Sequence, residues 1–245
     1  MAEPVVRVSG LILDMHPVPE PFDFQALAGE LWMLLGAVDS GRSALIRAIA
    51  GLAQPRTGRI ELFGVDPEHV SRSAGVRLRS RIGVVLEQTG LVPAWSVFEN
   101  LALLIKYHGL APDRAVEDQV VKFVETCRAP VTILAKLACD LSPLESRWVG
   151  LLRALIIRPR LLLVSAYLPQ ETLTAGYDVW SFFEEIVAPM NMTILVDAGP
   201  QALPIGPETR LLIMDRGTVR AAGRAGDLAA HPDPEVRHHA RFSDA

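Results

Sequence analysis

Cysteine is scarce in this chain of 245 residues, which contains only Cys127 and Cys139. Two cysteines form neither a disulfide framework nor the ligand spacing of a metal site, so we expect two buried thiols in a reduced compartment. Long apolar runs are also missing, because stretches such as residues 31–38 fall far short of the ~18 residues that span a bilayer. No basic region followed by an apolar segment marks the N-terminus, so no signal peptide is expected. These absences predict a soluble, cytoplasmic protein that would reach a membrane only through a partner.

Basic runs are absent as well, and the formal net charge is −4. This charge balance gives no electrostatic reason to expect a nucleic-acid partner. Half of the residues are hydrophobic and 21% are charged, which is typical of a globular chain. The histidines at 231, 238 and 239 lie in a tail and predict no metal site.

Short apolar runs alternate with helical patterns along the chain. Strands are predicted at residues 5–13, 30–35, 58–64, 81–86, 161–164, 193–196, 210–214 and 218–221. Helical patterns cover residues 43–52, 96–138 with two breaks, 143–157 and 174–187. This alternation favours an α/β parallel-sheet core that is interrupted by a helical insertion.

A glycine-rich loop stands between a predicted strand and a predicted helix, at Gly36, Asp39, Ser40, Gly41, Arg42 and Ser43. The phosphate-loop pattern needs two glycines, a lysine for the β/γ-phosphates and a hydroxyl for Mg²⁺. Here Arg42 occupies the lysine position, and Asp39 places a carboxylate inside the loop. Arg42 could contact phosphate through its planar fork. Equally, it could pair with Asp39 or Glu87 and fill an empty site with an internal ion pair, which is the interpretation we favour.

Several further segments stand in a familiar order around this loop. They are residues 56–64 (RTGRIELFG), 81–83 (RIG), 96–101 (SVFENL), 141–142 (LS) and 153–155 (RAL). Together they resemble the nucleotide-binding subunit of an ABC transporter. The resemblance implies a P-loop NTPase (RecA-like) fold of the ABC ATPase type, with a parallel-sheet core and an inserted helical subdomain. Residues 97–100 and the tail at 232–237 are most similar to the ATPase subunits of Mla/MCE-type lipid transporters.

The residues that perform catalysis in that family are altered here. Its metal-binding Asp and catalytic Glu align with Ser165 and Ala166, neither of which can carry charge or accept a proton at neutral pH. The switch histidine aligns with Ala198. The glutamine that senses the metal aligns with Glu87, although Gln88 could serve if the loop shifts by one residue. No aromatic residue near positions 13–14 is available to stack on adenine.

The signature loop of the family is also changed, to Leu141, Ser142, Pro143, Leu144 and Glu145. In active members this helix N-terminus directs its N–H groups at the partner subunit's γ-phosphate. Pro143 removes one N–H donor and Glu145 adds a like charge. The sequence Ser-Pro-Leu-Glu is instead a capping box, which predicts that this helix caps itself.

The resemblance also predicts the organisation of the chain and its contacts. Residues 1–90 and 153–225 would form the RecA-like core, residues 91–152 the helical subdomain and residues 226–245 a tail. Gln88, Leu91 and Trp95 would border the groove for a membrane permease, with Trp95 either an aromatic anchor or a core residue.

We therefore expect a catalytically inactive ABC subunit that docks on an integral-membrane permease of an Mla/MCE-type system. It would form a homodimer or a heterodimer with another ABC ATPase subunit and lie at the cytoplasmic membrane through its partners. No cofactor is expected, although ATP with Mg²⁺ stays possible. A divergent but active ATPase and a free-standing scaffold or regulatory protein are the alternatives.

Overall fold

Strands and helices alternate along the chain in the computed structural model, which describes residues 3–165, 182–197 and 206–241. The strands in these residues are β1 (Val6–Ile12), β2 (Phe22–Ala26), β3 (Leu31–Leu35), β4 (Thr57–Leu62), β5 (Ile82–Leu86), β6 (Leu161–Ser165), β7 (Thr193–Asp197), β8 (Arg210–Asp215) and β9 (Thr218–Arg224). The α-helices are α1 (Arg42–Ile49), α2 (Arg72–Arg79), α3 (Val97–Tyr107), α4 (Asp113–Thr126), α5 (Pro143–Leu155), α6 (Ala225–Leu228) and α7 (Pro234–His239). Short 3-10 turns lie at Pro67–His69, Val131–Ala135, Ala138–Asp140 and Ala188–Met190, and a π-helical turn at Phe183–Val187.

Contacts divide the chain into two compact units. Among the described residues, the first unit holds 3–71, 163–165, 193–197 and 206–241, and the second holds 72–162 and 182–192. The first unit carries the glycine-rich loop, and the second carries the altered signature segment.

A mostly parallel sheet forms the centre of the first unit, with its strands in the order β6-β7-β3-β8-β9. β3 pairs in parallel with both β7 and β8, whereas β9 pairs antiparallel with β8. Most of β3 is buried, as expected of a strand covered on both faces. The register sets Leu34 beside Asp197, so the carboxyl ends of β3 and β7 meet at one edge of the sheet.

A second, antiparallel sheet in the same unit has the order β2-β1-β4. Val6 of β1 lies between Ala26 and Leu62, and all three are buried. The sequence interpretation missed β2, although its residues alternate strictly between buried and exposed positions.

The second unit is built from helices that pack around a buried apolar core, with α3 against α4 and α5. β5 packs on α5 in this unit. The packing is close, because a Cβ on Gly83 of β5 would stand 2.7 Å from the carbonyl oxygen of Ala154. This close approach holds β5 against α5.

Trp32 and Trp148 are core residues, because they are 6% and 3% exposed. Trp180 lies outside the described residues. Within the described ranges, no helix has both the length and the apolar character required to cross a membrane.

Candidate functional site

The glycine-rich loop connects β3 to α1, as predicted, and its backbone leaves the ordinary regions of φ at three positions. Gly36 has φ 147°, Gly41 has φ 99° and Asp39 has φ 64°. A Cβ on Gly36 would overlap the carbonyl oxygen of Met214, and a Cβ on Gly41 would lie 2.7 Å from the Cα of Gly217. Both glycines are therefore required by the fold of the loop, whatever the loop binds.

One carboxylate contacts both polar side chains at the start of α1. Asp197 Oδ1 lies 3.1 Å from Arg42 Nη1. Ser43 Oγ donates a hydrogen bond of 2.9 Å to Asp197 Oδ2. The parallel register of β3 and β7 places Asp197 there, at the same edge of the sheet as the loop. The internal ion pair is thus present, but the partners suggested from sequence, Asp39 and Glu87, are wrong.

This ion pair is largely removed from solvent, with side-chain exposures of 8% for Arg42 and 12% for Asp197. Although Arg42 Nη1 is within ion-pair distance, its N–H groups are not aligned for a hydrogen bond with any acceptor in the described part of the chain. The attraction is therefore mainly Coulombic. Ser40 Oγ, buried in the same loop, likewise lacks a hydrogen-bond partner among the described residues. The loop thus holds polar groups whose hydrogen-bonding capacity is only partly used.

β6 ends at Ser165, where the family would place its metal-binding Asp. Ser165 is 4% exposed and belongs to a strand that is buried throughout. Its hydroxyl brings no negative charge to the end of the strand. The other two altered positions, Ala166 and Ala198, lie outside the described residues.

The segment after β5 lines a cavity of about 410 Å³ in the second unit. Glu87 and Gln88 are both exposed there. Pro143, Ser146 and Arg147 of α5 line the same cavity. The segment after β5 and the first turns of α5 therefore border one space.

Arg153 of α5 fixes the backbone of this segment, a role that sequence reasoning did not assign. Its guanidinium donates to the carbonyl oxygen of Thr89 at 2.5 Å and to that of Gly90 at 2.7 Å. Burial lowers the pKa of Arg153 from its ordinary value. Thr89 Oγ1 also lies 3.1 Å from Ser146 Oγ. The segment is thus attached to α5 at three points, which the separation of these residues in sequence concealed.

The altered signature segment forms the predicted capping box. Glu145 N donates to Ser142 Oγ at 3.2 Å, and Ser142 N donates to Glu145 Oε2 at 2.9 Å. Pro143 occupies the first turn, where its missing N–H matters least. The hydrogen bond from Lys136 Nζ lowers the pKa of Glu145, and the backbone of Ser142 lowers it further. The N-terminus of α5 therefore carries an ionised carboxylate of its own.

The predicted docking residues lie around a well-ordered turn before α3. Leu91 and Gln88 line the cavity described above. Trp95 is 38% exposed, so it is not a core residue. The fully buried Asn100 holds the turn by accepting from Val92 N at 2.8 Å and donating to Val92, Trp95 and Ser96 carbonyl oxygens. Leu137, paired with Ser96 in an isolated bridge, is 42% exposed.

Comparison with known proteins identifies the fold and the family. The profile of the family described as ABC transporter matches residues 20–164. The methionine import ATP-binding protein MetN of Rhizobium johnstonii is 28% identical over 217 residues, which cover 85% of this chain and 57% of that protein. The chain thus spans less than three fifths of the length of this curated relative.

Two solved structures resemble the chain in fold. The structure of cbiO1 from Clostridium perfringens, part of the ABC transporter complex cbiONQ, has a TM-score of 0.66 at 18% identity and covers 96% of this chain and 98% of its own. An ATP binding subunit of an ABC transporter has a TM-score of 0.74 at 20% identity and covers 92% of each chain. These likenesses confirm the predicted P-loop NTPase fold of the ABC ATPase type. The profile matches more than half of the chain, and the chain belongs to the ABC transporter family.

Proposed function

We propose that this chain is the nucleotide-binding-type subunit of an ABC transporter, that it docks on an integral-membrane permease and that it does not turn over ATP. It would lie at the cytoplasmic face of the membrane through that partner, as a homodimer or paired with another ABC ATPase subunit. Family membership supports the general role. The altered motifs support the loss of activity.

The self-capped N-terminus of α5 is the observation that carries the inactive assignment. Of its first three residues, Pro143 has no N–H and Glu145 donates its N–H to Ser142 Oγ. The Glu145 carboxylate returns to the backbone of Ser142, so a negative charge occupies the positive end of the helix dipole. A phosphate approaching from a neighbouring subunit would meet a carboxylate where an active subunit offers donors.

The end of β6 supports the same proposal from the other half of the site. A buried Ser165 supplies no charge to hold Mg²⁺. Ala166 follows Ser165 in the sequence, at the position of the family's catalytic Glu. Loss of a general base alone reduces a reaction rate by ~10²–10⁴-fold. Both halves of a head-to-tail dimer would therefore be impaired.

Phosphate release by the purified chain with Mg-ATP tests this proposal. We expect turnover no greater than that of the Ser43→Ala variant, which serves as the control for contaminating ATPases. Turnover that disappears on substitution of Ser43 would establish the divergent active ATPase instead. Combining Arg42→Lys, Ser165→Asp and Ala166→Glu should not restore activity while residues 141–145 keep their altered sequence.

The turn around Trp95 supports the docking part of the proposal. Its backbone is fixed by Asn100, while the Trp95 ring and Leu137 stay partly exposed. A rigid backbone that presents an aromatic side chain suits an anchor at a protein interface. This geometry favours a docked subunit over a free-standing scaffold protein.

Binding of the tagged chain to membranes from its own organism tests docking. Trp95→Ala should release the chain into the soluble fraction and abolish the cross-linking of position 91 to a polytopic membrane protein. Tyr107→Ala is the matched control, because Tyr107 is an aromatic residue of the same unit that is 60% exposed. Equal release by both variants would contradict the assignment of the Trp95 surface.

The cargo is a separate part of the proposal. Residues 97–100 and 232–237 favour a lipid-transport system of the Mla/MCE type, whereas the curated relative is named for methionine import. Disruption of the gene distinguishes the two, because one cargo predicts loss of labelled methionine uptake and the other predicts a change in envelope lipid distribution.

A further inference from the structure

Asp197 contacts the two side chains of the loop that would otherwise serve a nucleotide. Its Oδ1 lies 3.1 Å from Arg42 Nη1, and its Oδ2 accepts a hydrogen bond of 2.9 Å from Ser43 Oγ. In the phosphate-loop pattern, these two positions are the cation for the phosphates and the hydroxyl for Mg²⁺. A single carboxylate therefore engages both.

We propose that Asp197 is a built-in anion that keeps phosphate-bearing ligands out of this loop. The proposal rests on the proposed function in one respect, namely that the wild-type loop does not serve ATP turnover. Beyond that function, Asp197 is the residue that closes the site. Removal of its carboxylate would allow a phosphoanion to bind.

The unused hydrogen-bonding capacity of the loop supports this role. Arg42 is 7% exposed and Ser40 is 3% exposed. Arg42 Nη1 and Ser40 Oγ nevertheless lack hydrogen-bond partners among the described residues. A carboxylate has two oxygens in one plane, whereas a phosphoanion presents more acceptors in three dimensions. Asp197 thus neutralises the charge of the loop but leaves some of its donors unused.

A purely structural ion pair makes a different prediction on removal of the carboxylate. It would leave a destabilised chain with a buried, unpaired Arg42 and no new ligand affinity. If Asp197 instead occupies an anion site, its removal leaves the cation, the hydroxyl and the glycine-rich backbone in place for an external anion.

The test is titration of the Asp197→Asn variant with inorganic tripolyphosphate, followed by calorimetry and thermal unfolding. We expect binding at least about tenfold tighter than to the wild type, because the probe replaces a lost buried counter-charge. At 100 times the dissociation constant, the Tm of the variant should rise by about 5–10 °C. Asp215→Asn is the matched control, since it removes the same charge from the turn beside the loop, where Asp215 pairs with Arg220. That control should bind the probe no better than the wild type.

The double variant Asp197→Asn with Arg42→Met keeps the proposal testable even if Asp197→Asn alone does not fold. Because it lacks the buried cation, we expect it to fold without the probe and to bind none. If Asp197→Asn alone unfolds, tripolyphosphate added during refolding should recover it. A folded Asp197→Asn chain without affinity for the probe, or an unfolded one that the probe does not recover, would overturn the proposal. The ATPase assay on the wild type is separate, so failure of the proposed function and failure of this proposal can be told apart.

Discussion

Lys136 Nζ lies 2.6 Å from Glu145 Oε1, so the carboxylate that closes the capping box of α5 is also held by an ion pair. The other oxygen of the same carboxylate accepts from the backbone of Ser142. One side chain thus caps the helix and connects it to the residues that precede it.

This arrangement predicts a specific loss of stability in acid. The pKa of Glu145 lies below its ordinary value of 4.5, chiefly because of the hydrogen bond from Lys136. A carboxyl with a depressed folded-state pKa stabilises the protein above its unfolded pKa and loses that effect as pH falls through the folded value. The free energy of unfolding of the wild type should therefore drop below pH 4.5 more steeply than that of Glu145→Gln. Chemical denaturation between pH 3 and pH 7 measures the difference.

The matched control for that experiment is Glu117→Gln, which removes a carboxylate from an exposed position on α4. This control should follow the wild-type pH dependence. Parallel curves for wild type and Glu145→Gln would contradict the prediction.

Alanine at Gly36 should be among the most damaging single changes in the first unit. Its Cβ would overlap the carbonyl oxygen of Met214, a backbone atom that cannot move aside cheaply. We expect a loss of about 3 kcal/mol or more in the free energy of unfolding. Gly51→Ala is the control, because Gly51 also has a positive φ but open space around it, and about 1–2 kcal/mol is expected there. Equal losses would show that backbone strain, not the overlap, sets the cost.

Removal of the Asn100 side chain should loosen the turn that carries Trp95. Four hydrogen bonds are lost, including that of Val92 N, so about 2 kcal/mol of stability should disappear. Amide exchange at Val92 should accelerate in Asn100→Ala. In Asn100→Asp, which keeps the acceptor, that amide should stay better protected. Unchanged exchange at Val92 in both variants would be inconsistent with the assigned role.

The two cysteines should differ sharply in reactivity. Burial raises the pKa of Cys127 to about 12, whereas Cys139 is exposed, so the expected burial of both thiols is wrong for Cys139. At pH 8 only about one Cys127 in ten thousand would be a thiolate. Iodoacetamide should therefore modify Cys139 alone in the folded protein and both residues in urea, as read by peptide mass spectrometry. Rapid modification of Cys127 in the native chain would indicate local opening of its core.

Local patterns in the sequence were sufficient to predict the strands of the mostly parallel sheet and the cap of α5, but not β2 or α2. A capping box depends on residues three positions apart, so Ser142 and Glu145 reveal it without tertiary information. The strand before Gly36 and the helix after it were predicted for the same reason.

The partner of Arg42 illustrates what local patterns leave out. Ser43 and Asp197 are 154 positions apart and meet only because β3 and β7 are neighbours in the sheet. Asp39 and Glu87 lie in or near known motifs, whereas Asp197 ends β7, a strand without such a motif. Asp197 could have been found by asking which parallel strand ends at the same edge as the loop. Arg153 was missed similarly, because its two carbonyl acceptors lie 63 and 64 positions away.

The capping box of α5 would make the assembly of this subunit independent of the ATP concentration in the cell. The first-turn N–H groups of a self-capped helix already have hydrogen-bond partners. A nucleotide presented by a second chain would therefore stabilise such a helix very little. Under the proposed function, assembly at the membrane would then depend on protein surfaces alone. The complex would persist when ATP levels fall. This subunit would then support the transporter in every nucleotide state of its other subunits.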